Sequence, residues 1–105
     1  MDHAALQAML AAHPRVAVYL STEHCGPCHA VRPWAQAMFA DPAWTWVPVD
    51  TQESPEVAGQ LLVFSHPTLI LFADGREQAR FSRVVPRAQV ERIKALLEEE
   101  EEEEG

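Results

Sequence analysis

The sequence predicts one small α/β domain, and three observations carry that prediction. Helical and strand patterns alternate along the 105 residues, in the order helix, strand, helix, strand, helix, strand, strand, helix. Asp74-Gly75, between two strand-like runs, signals a hairpin. Hydrophobic residues make up 48% of the chain, enough for one compact core, and no run reaches the roughly 18 apolar residues of a membrane span.

Asp2 is suited to cap a first helix over His3–Ala12, whose inner face carries Leu6, Met9 and Leu10. His13-Pro14 ends it, because a residue before proline avoids helical dihedrals. Val16–Leu20 is apolar and β-branched and reads as a buried strand. Ser21–His24 is a loop delivering Cys25, and a second helix follows to about Ala40, kinked at Pro33 and stopped by Asp41-Pro42. Trp44–Asp50 reads as a strand in which Pro48 demands a bulge or an edge position. A short helix runs from Pro55 to about Gln60, with Ser54 as its cap. Thr68–Phe72 is a strong strand and Glu77–Ser82 pairs back against it. The last helix starts near Pro86 and is expected to turn Val90, Ile93, Leu96 and Leu97 inward.

The net charge is −8, but Glu98–Glu104 account for seven of those charges and the rest of the chain carries only −1. Like charges repel, and anions oppose the dipole at a helix C-terminus. Residues 1–97 are therefore read as the domain and 98–105 as a disordered, solubilising acidic tail. Basic residues are few and scattered, which argues against nucleic-acid binding. Met1-Asp2-His3 lacks the basic start and apolar block of a secretory signal. The only two cysteines sit in one motif, which is no structural disulfide framework and fits a reducing compartment, so a cytoplasmic location is expected.

That motif, Cys25-Gly26-Pro27-Cys28, falls where a strand ends and a helix begins. A helix start offers unpaired N–H groups and the positive end of the dipole. A thiolate there is stabilised and becomes a usable nucleophile near neutral pH. The second cysteine, one turn on, is positioned to attack a mixed disulfide formed by the first.

Four features in register resemble the thioredoxin family: the Cys25-Gly26-Pro27-Cys28 tetrapeptide, Pro33 five residues past the second cysteine, His66-Pro67-Thr68 before the third strand, and the Asp74-Gly75 hairpin. They cover the chain from about Val16 to Leu97. The resemblance implies a thioredoxin-like fold, with a central four-stranded mixed sheet flanked by helices on both faces. The family's usual first strand is expected to be absent, since the chain before Cys25 is too short for it. The resemblance also implies a thiol–disulfide oxidoreductase that reduces or exchanges protein disulfides. Cys25 is then the attacking thiolate, Cys28 the resolving thiol, and Pro67 a cis residue facing them. The backbone of His66 pairs with an extended substrate. A reductase such as a thioredoxin reductase would donate electrons, no bound cofactor beyond the Cys25–Cys28 disulfide is needed, and a monomer is expected.

Departures from the family pattern single out further residues. His24 replaces a tryptophan, His29 a lysine-like residue, His66 an apolar residue, Tyr19 a buried acid, and Arg83 the glycine opposite the cis-proline. Gly26, Pro27, His24 and His66 are therefore candidates for tuning the thiols, and Pro67, His66 and Arg83 for contacting substrate. A cationic imidazole near Cys25 favours its thiolate and makes the disulfide more oxidising. A potential less reducing than that of a typical thioredoxin is expected, with activity varying with pH where imidazole titrates. The plainer reading of these histidines is solvated loop residues, and of Tyr19, core filling. Loss of the acid should slow resolution without abolishing exchange, because water or a histidine can take the proton.

Three rival readings weigh against redox exchange. Cys25-x-x-Cys28-His29 is also the c-type haem attachment pattern. The two cysteines with His24, His29 or His66 could hold zinc or another soft metal. A non-catalytic interaction module is the third. Gly26-Pro27 between the cysteines and Pro33 beyond them favour redox exchange. Trp34, Trp44, Trp46, Met9 and Met38 read as packing residues.

Overall fold

The computed structural model describes the backbone of residues 1–104 and the side chains of residues 1–99. Its elements are α1 (His3–Ala12), β1 (Arg15–Ser21), α2 (Gly26–Met38), β2 (Thr45–Asp50), α3 (Pro55–Gln60), β3 (Thr68–Ala73), β4 (Arg76–Ser82) and α4 (Arg87–Glu104). The order is the one read from the sequence.

Among the described residues there is one sheet of four strands, ordered β2-β1-β3-β4. β1 runs parallel to β2 and antiparallel to β3, and β3 is antiparallel to β4. The sheet is mixed, as the resemblance implies. The two central strands, β1 and β3, are buried on both faces, which is why they read as continuous apolar runs. Pro48 sits on the edge strand β2, where a missing N–H costs no ladder bond on the solvent side. Asp74 and Gly75 both have positive φ, 52° and 78°, as a primed two-residue hairpin requires.

Strand alternation divides the core in two. Val16, Val18, Leu20, Ile70 and Phe72 face α1 and α3, meeting Leu6, Leu10 and Val57. Ala17, Tyr19, Leu69 and Leu71 face α2 and α4, meeting Phe39, Val90 and Leu97, with Trp34 and Trp46 packed against them.

Asp2 caps α1 as expected, its Oδ1 accepting from the Ala5 N–H at 2.7 Å. Three expectations need correction. Ser54 stands at the cap position of α3 but makes no side-chain cap bond. Its Oγ instead accepts from the Met1 ammonium at 3.1 Å, and the His3 N–H donates to Glu56 at 2.9 Å, so α3 docks on α1. Leu96 is 47% exposed rather than turned inward. Val90, Ile93 and Leu97 form the apolar stripe at i, i+3 and i+7, and Leu96 falls off it. Finally, α4 does not stop before Glu98. Its backbone continues through Glu104, and Glu98 accepts from Trp44 Nε1 at 2.7 Å and from Lys94 Nζ at 2.8 Å. These two donors draw the first glutamate of the acidic run into the fold. Gly105, and the side chains of the tail from residue 100 on, lie outside the described residues.

Candidate active site

Strand register gathers the candidate residues at one end of the sheet. Leu20 pairs with Thr68, and Thr68 with Ser82, so the ends of β1 and β4 meet the start of β3 there. The parallel partner β2 ends at the same place, Ser21 pairing with Asp50. The 22–25 loop, His66-Pro67 and Arg83 all leave the sheet at this end.

Cys25 is the N-cap of α2, with extended dihedrals, and its Sγ accepts from the Cys28 N–H at 3.2 Å. Gly26 and Pro27 fill the first two helical positions. Pro27 brings no N–H to a turn whose first donors are orphaned anyway. Pro33 lies within the helix. Cys25 and Cys28 are joined by a disulfide. Cys25 is half-buried, whereas Cys28 is only 3% exposed.

The His66–Pro67 peptide is cis. Pro67 is buried, and its carbonyl accepts from the Arg83 N–H at 2.8 Å. Arg83 therefore does stand across from the proline, and it adopts φ 69°, a conformation natural to glycine.

Among the described residues, none of the three histidines is hydrogen-bonded to a cysteine sulfur. His66 Nε2 lies 2.9 Å from the hydroxyl of buried Thr51, whose backbone N–H is bonded to Ser21 O at 3.0 Å. His29 Nε2 lies 3.1 Å from Glu23 O. His24 is exposed and makes no polar contact among the described residues. No group of three or more His, Cys, Asp or Glu side chains among the described residues is arranged to hold a metal.

Tyr19 does more than fill the core. Fully buried on β1, it donates its hydroxyl to the Cys28 carbonyl at 2.8 Å and stacks on Trp46, ring centroids 5.4 Å apart. Burial pushes the phenol above its ordinary pKa, against a smaller opposite pull from Arg32, so it stays protonated at neutral pH. A cavity of about 410 Å³ opens beside Cys28, lined in part by Glu23, His29, Arg32, Asp50 and Glu53.

Sequence reasoning missed Thr51, the Tyr19–Cys28 bond and the rim around Pro67. The loop before Pro67 exposes Leu62 and Phe64, by 65% and 85%, and Val84, next to Arg83, is 75% exposed. The 61–62 backbone is clipped to β4 by Arg80, which donates to the Leu61 and Leu62 carbonyls at 2.8 and 3.0 Å and pairs with Glu77. Only the run of apolar residues across 61–64, outside any strand or helix pattern, hinted at it.

Among the described residues, no helix is long and apolar enough to cross a membrane. The thioredoxin family model matches residues 1–98. A thioredoxin of Chlamydia trachomatis is 48% identical over 59 residues, 55% of this chain and 58% of that protein. A thioredoxin of Chlamydia muridarum is 44% identical over 66 residues, 62% of this chain and 65% of the relative. In both, the matched stretch spans less than two thirds of the relative's length. A Mycoplasmoides gallisepticum thioredoxin is 28% identical over 93 residues, covering 88% of this chain and 93% of its own. Oxidised mitochondrial thioredoxin 3 from Saccharomyces cerevisiae superposes with a TM-score of 0.78 at 24% identity, covering 90% of each chain. Together with the four-stranded mixed sheet, the half-buried Cys25 and the enclosed Cys28, these matches give one conclusion: the chain belongs to the thioredoxin family.

Proposed function

We propose that this protein is a thiol–disulfide oxidoreductase that reduces or exchanges protein disulfides through Cys25 and Cys28. The observation that carries this reading is the sulfur of Cys25 at the N-cap of α2, accepting the Cys28 N–H at 3.2 Å. In the reduced protein, that donor and the helix dipole would favour the Cys25 thiolate. Cys25 attacks one sulfur of the target disulfide, forming a mixed disulfide and expelling the first target thiolate. The Cys28 thiol loses its proton and attacks Cys25 Sγ. The Cys25–Cys28 disulfide forms and the second target thiolate leaves. Two electrons pass from the dithiol to the target, and the two thiolates take up protons from solvent.

Tyr19 is the positioning residue of this scheme. A carboxylate in its place could take the Cys28 proton. A neutral phenol that donates to the Cys28 carbonyl cannot, so the proton goes to water. Its part is to hold the first turn of α2 where the resolving sulfur reaches Cys25. His24 is the imidazole left to bias Cys25, since His66 and His29 have other partners. His66, Pro67 and Arg83 form the edge for an extended substrate, a sequence-tolerant mode of pairing that suits several targets. A cellular reductase would recycle the disulfide. A cytoplasmic location fits the cysteine usage of the chain, whose two cysteines lie in one motif.

The test is trapping. Cys28→Ser should accumulate mixed disulfides through Cys25, and Cys25→Ser should capture nothing. Capture by Cys25→Ser alone would reverse the roles, and capture by neither would defeat the proposal.

A further inference from the structure

We infer that Arg83 is a specificity-determining residue, favouring disulfide targets with an acidic side chain beside the reactive cysteine. This rests on the exchange chemistry proposed above.

Arg83 is bonded directly to the substrate edge, its N–H donating to Pro67 O at 2.8 Å. The Val84 N–H donates to Ser82 O at 2.8 Å, closing a three-residue turn around Arg83 with φ 69°. A positive φ at the centre of such a turn is the rarer, strained form, open to glycine and opposed by a side chain. A bulky cation kept at a strained position beside a functional edge points to a use for that cation.

The surrounding charges leave the guanidinium available. Arg80 is taken up by Glu77 and the 61–62 carbonyls, and Arg87 by Glu91. Arg32 lines the cleft by Cys28 with Glu23, Asp50 and Glu53. Arg83 is exposed and has no ion-pair or side-chain hydrogen-bond partner among the described residues. A peptide laid along His66-Pro67 thus meets an unopposed cation next to exposed Val84. The cleft beside Cys28, by contrast, sets three carboxylates, Glu23, Asp50 and Glu53, against Arg32 and His29. A guanidinium recognises carboxylate by paired N–H donors as well as by charge.

The test uses three synthetic peptides, each with one internal disulfide, identical except for Glu, Gln or Lys before the first cysteine. Rates with reduced protein are divided by rates with dithiothreitol, which removes the intrinsic reactivity of each peptide. The normalised Glu-to-Lys ratio should be about fivefold at low salt, the upper range for one exposed charge pair, and should shrink as salt screens it. Arg83→Lys should keep part of the preference, Arg83→Gly should erase it while relieving the strained φ, and Arg83→Glu should invert it. A ratio unchanged in Arg83→Gly and Arg83→Glu would overturn the inference. Failure of the unsubstituted protein to reduce even the Gln peptide would instead defeat the exchange chemistry beneath it.

Discussion

The two faces of the sheet are built differently. The face toward α1 and α3 is aliphatic: Val16, Val18, Leu20, Ile70 and Phe72 against Leu6, Leu10 and Val57. The face toward α2 and α4 is aromatic and carries polar atoms inside. Tyr19, Phe39, Trp44 and Trp46 stack or meet edge to face, with Tyr19 hydrogen-bonded to Cys28 and Trp44 to Glu98. An aliphatic layer supplies stability without direction. A buried hydroxyl supplies direction, because its partner must sit at one distance and angle. The redox helix rests on the second face, and that is where the fold fixes the position of its resolving cysteine.

The largest effect expected from breaking this contrast is on the aliphatic side. Ile70→Ala removes a fully buried side chain and should cost about 2–5 kcal/mol by denaturant titration. The rate of Cys25 with a small disulfide should stay unchanged while the protein remains folded. Tyr19→Phe is the converse. It keeps the ring and the stack but leaves the Cys28 carbonyl without that donor, costing about 1–2 kcal/mol. It should also slow resolution of a preformed mixed disulfide on Cys25. If Tyr19 only fills the core, stability falls and the resolution rate does not move.

A smaller effect sits at the far end of the aromatic face. Lys94 donates to Asp41 at 3.0 Å and to Glu98 at 2.8 Å. The Lys94 hydrogen bond holds Asp41 below its ordinary pKa. Burial pushes Glu98 up, but hydrogen bonds from Lys94 and Trp44 outweigh it and leave Glu98 lowered. Burial pushes Lys94 down, and its two carboxylate partners more than reverse that. The carboxylates' contribution is therefore present above their ordinary pKa values and lost as pH falls through the lowered ones. Lysine's is present below 10.5 and lost as pH rises through its raised value. Lys94→Met should cost about 1 kcal/mol or less at neutral pH, and its stability should decline less steeply in acid than that of the unsubstituted protein. Parallel acid limbs would show that the network contributes nothing to folding.

How much of this could be read from the sequence depended on how far each interaction reaches along the chain. Asp2, Pro48 and Asp74-Gly75 act within a few residues of themselves, and each reading matches the structure. The cysteine motif is equally local: cap, proline and buried partner lie within one turn. What the sequence hid depends on register. The Tyr19 hydroxyl reaches Cys28 only because β1 runs beneath α2, and the His66 ring meets Thr51 only because the start of β3 lies near the end of β2. Ser54 had the right residue type for a cap, but the Met1 ammonium across the α1–α3 contact claims its hydroxyl. Glu98 looked like tail because its charge matches the run after it. Its partners, Trp44 and Lys94, come from the fold.

The account turns on the ionisation of Cys25 at the start of α2. The direct measurement is the pH dependence of alkylation of Cys25 in the reduced Cys28→Ser variant. A midpoint well below the roughly 8.5 of a free cysteine is the predicted result. A midpoint at or above that value would mean that the helix terminus does not activate the sulfur, and would contradict the assignment of Cys25 as nucleophile.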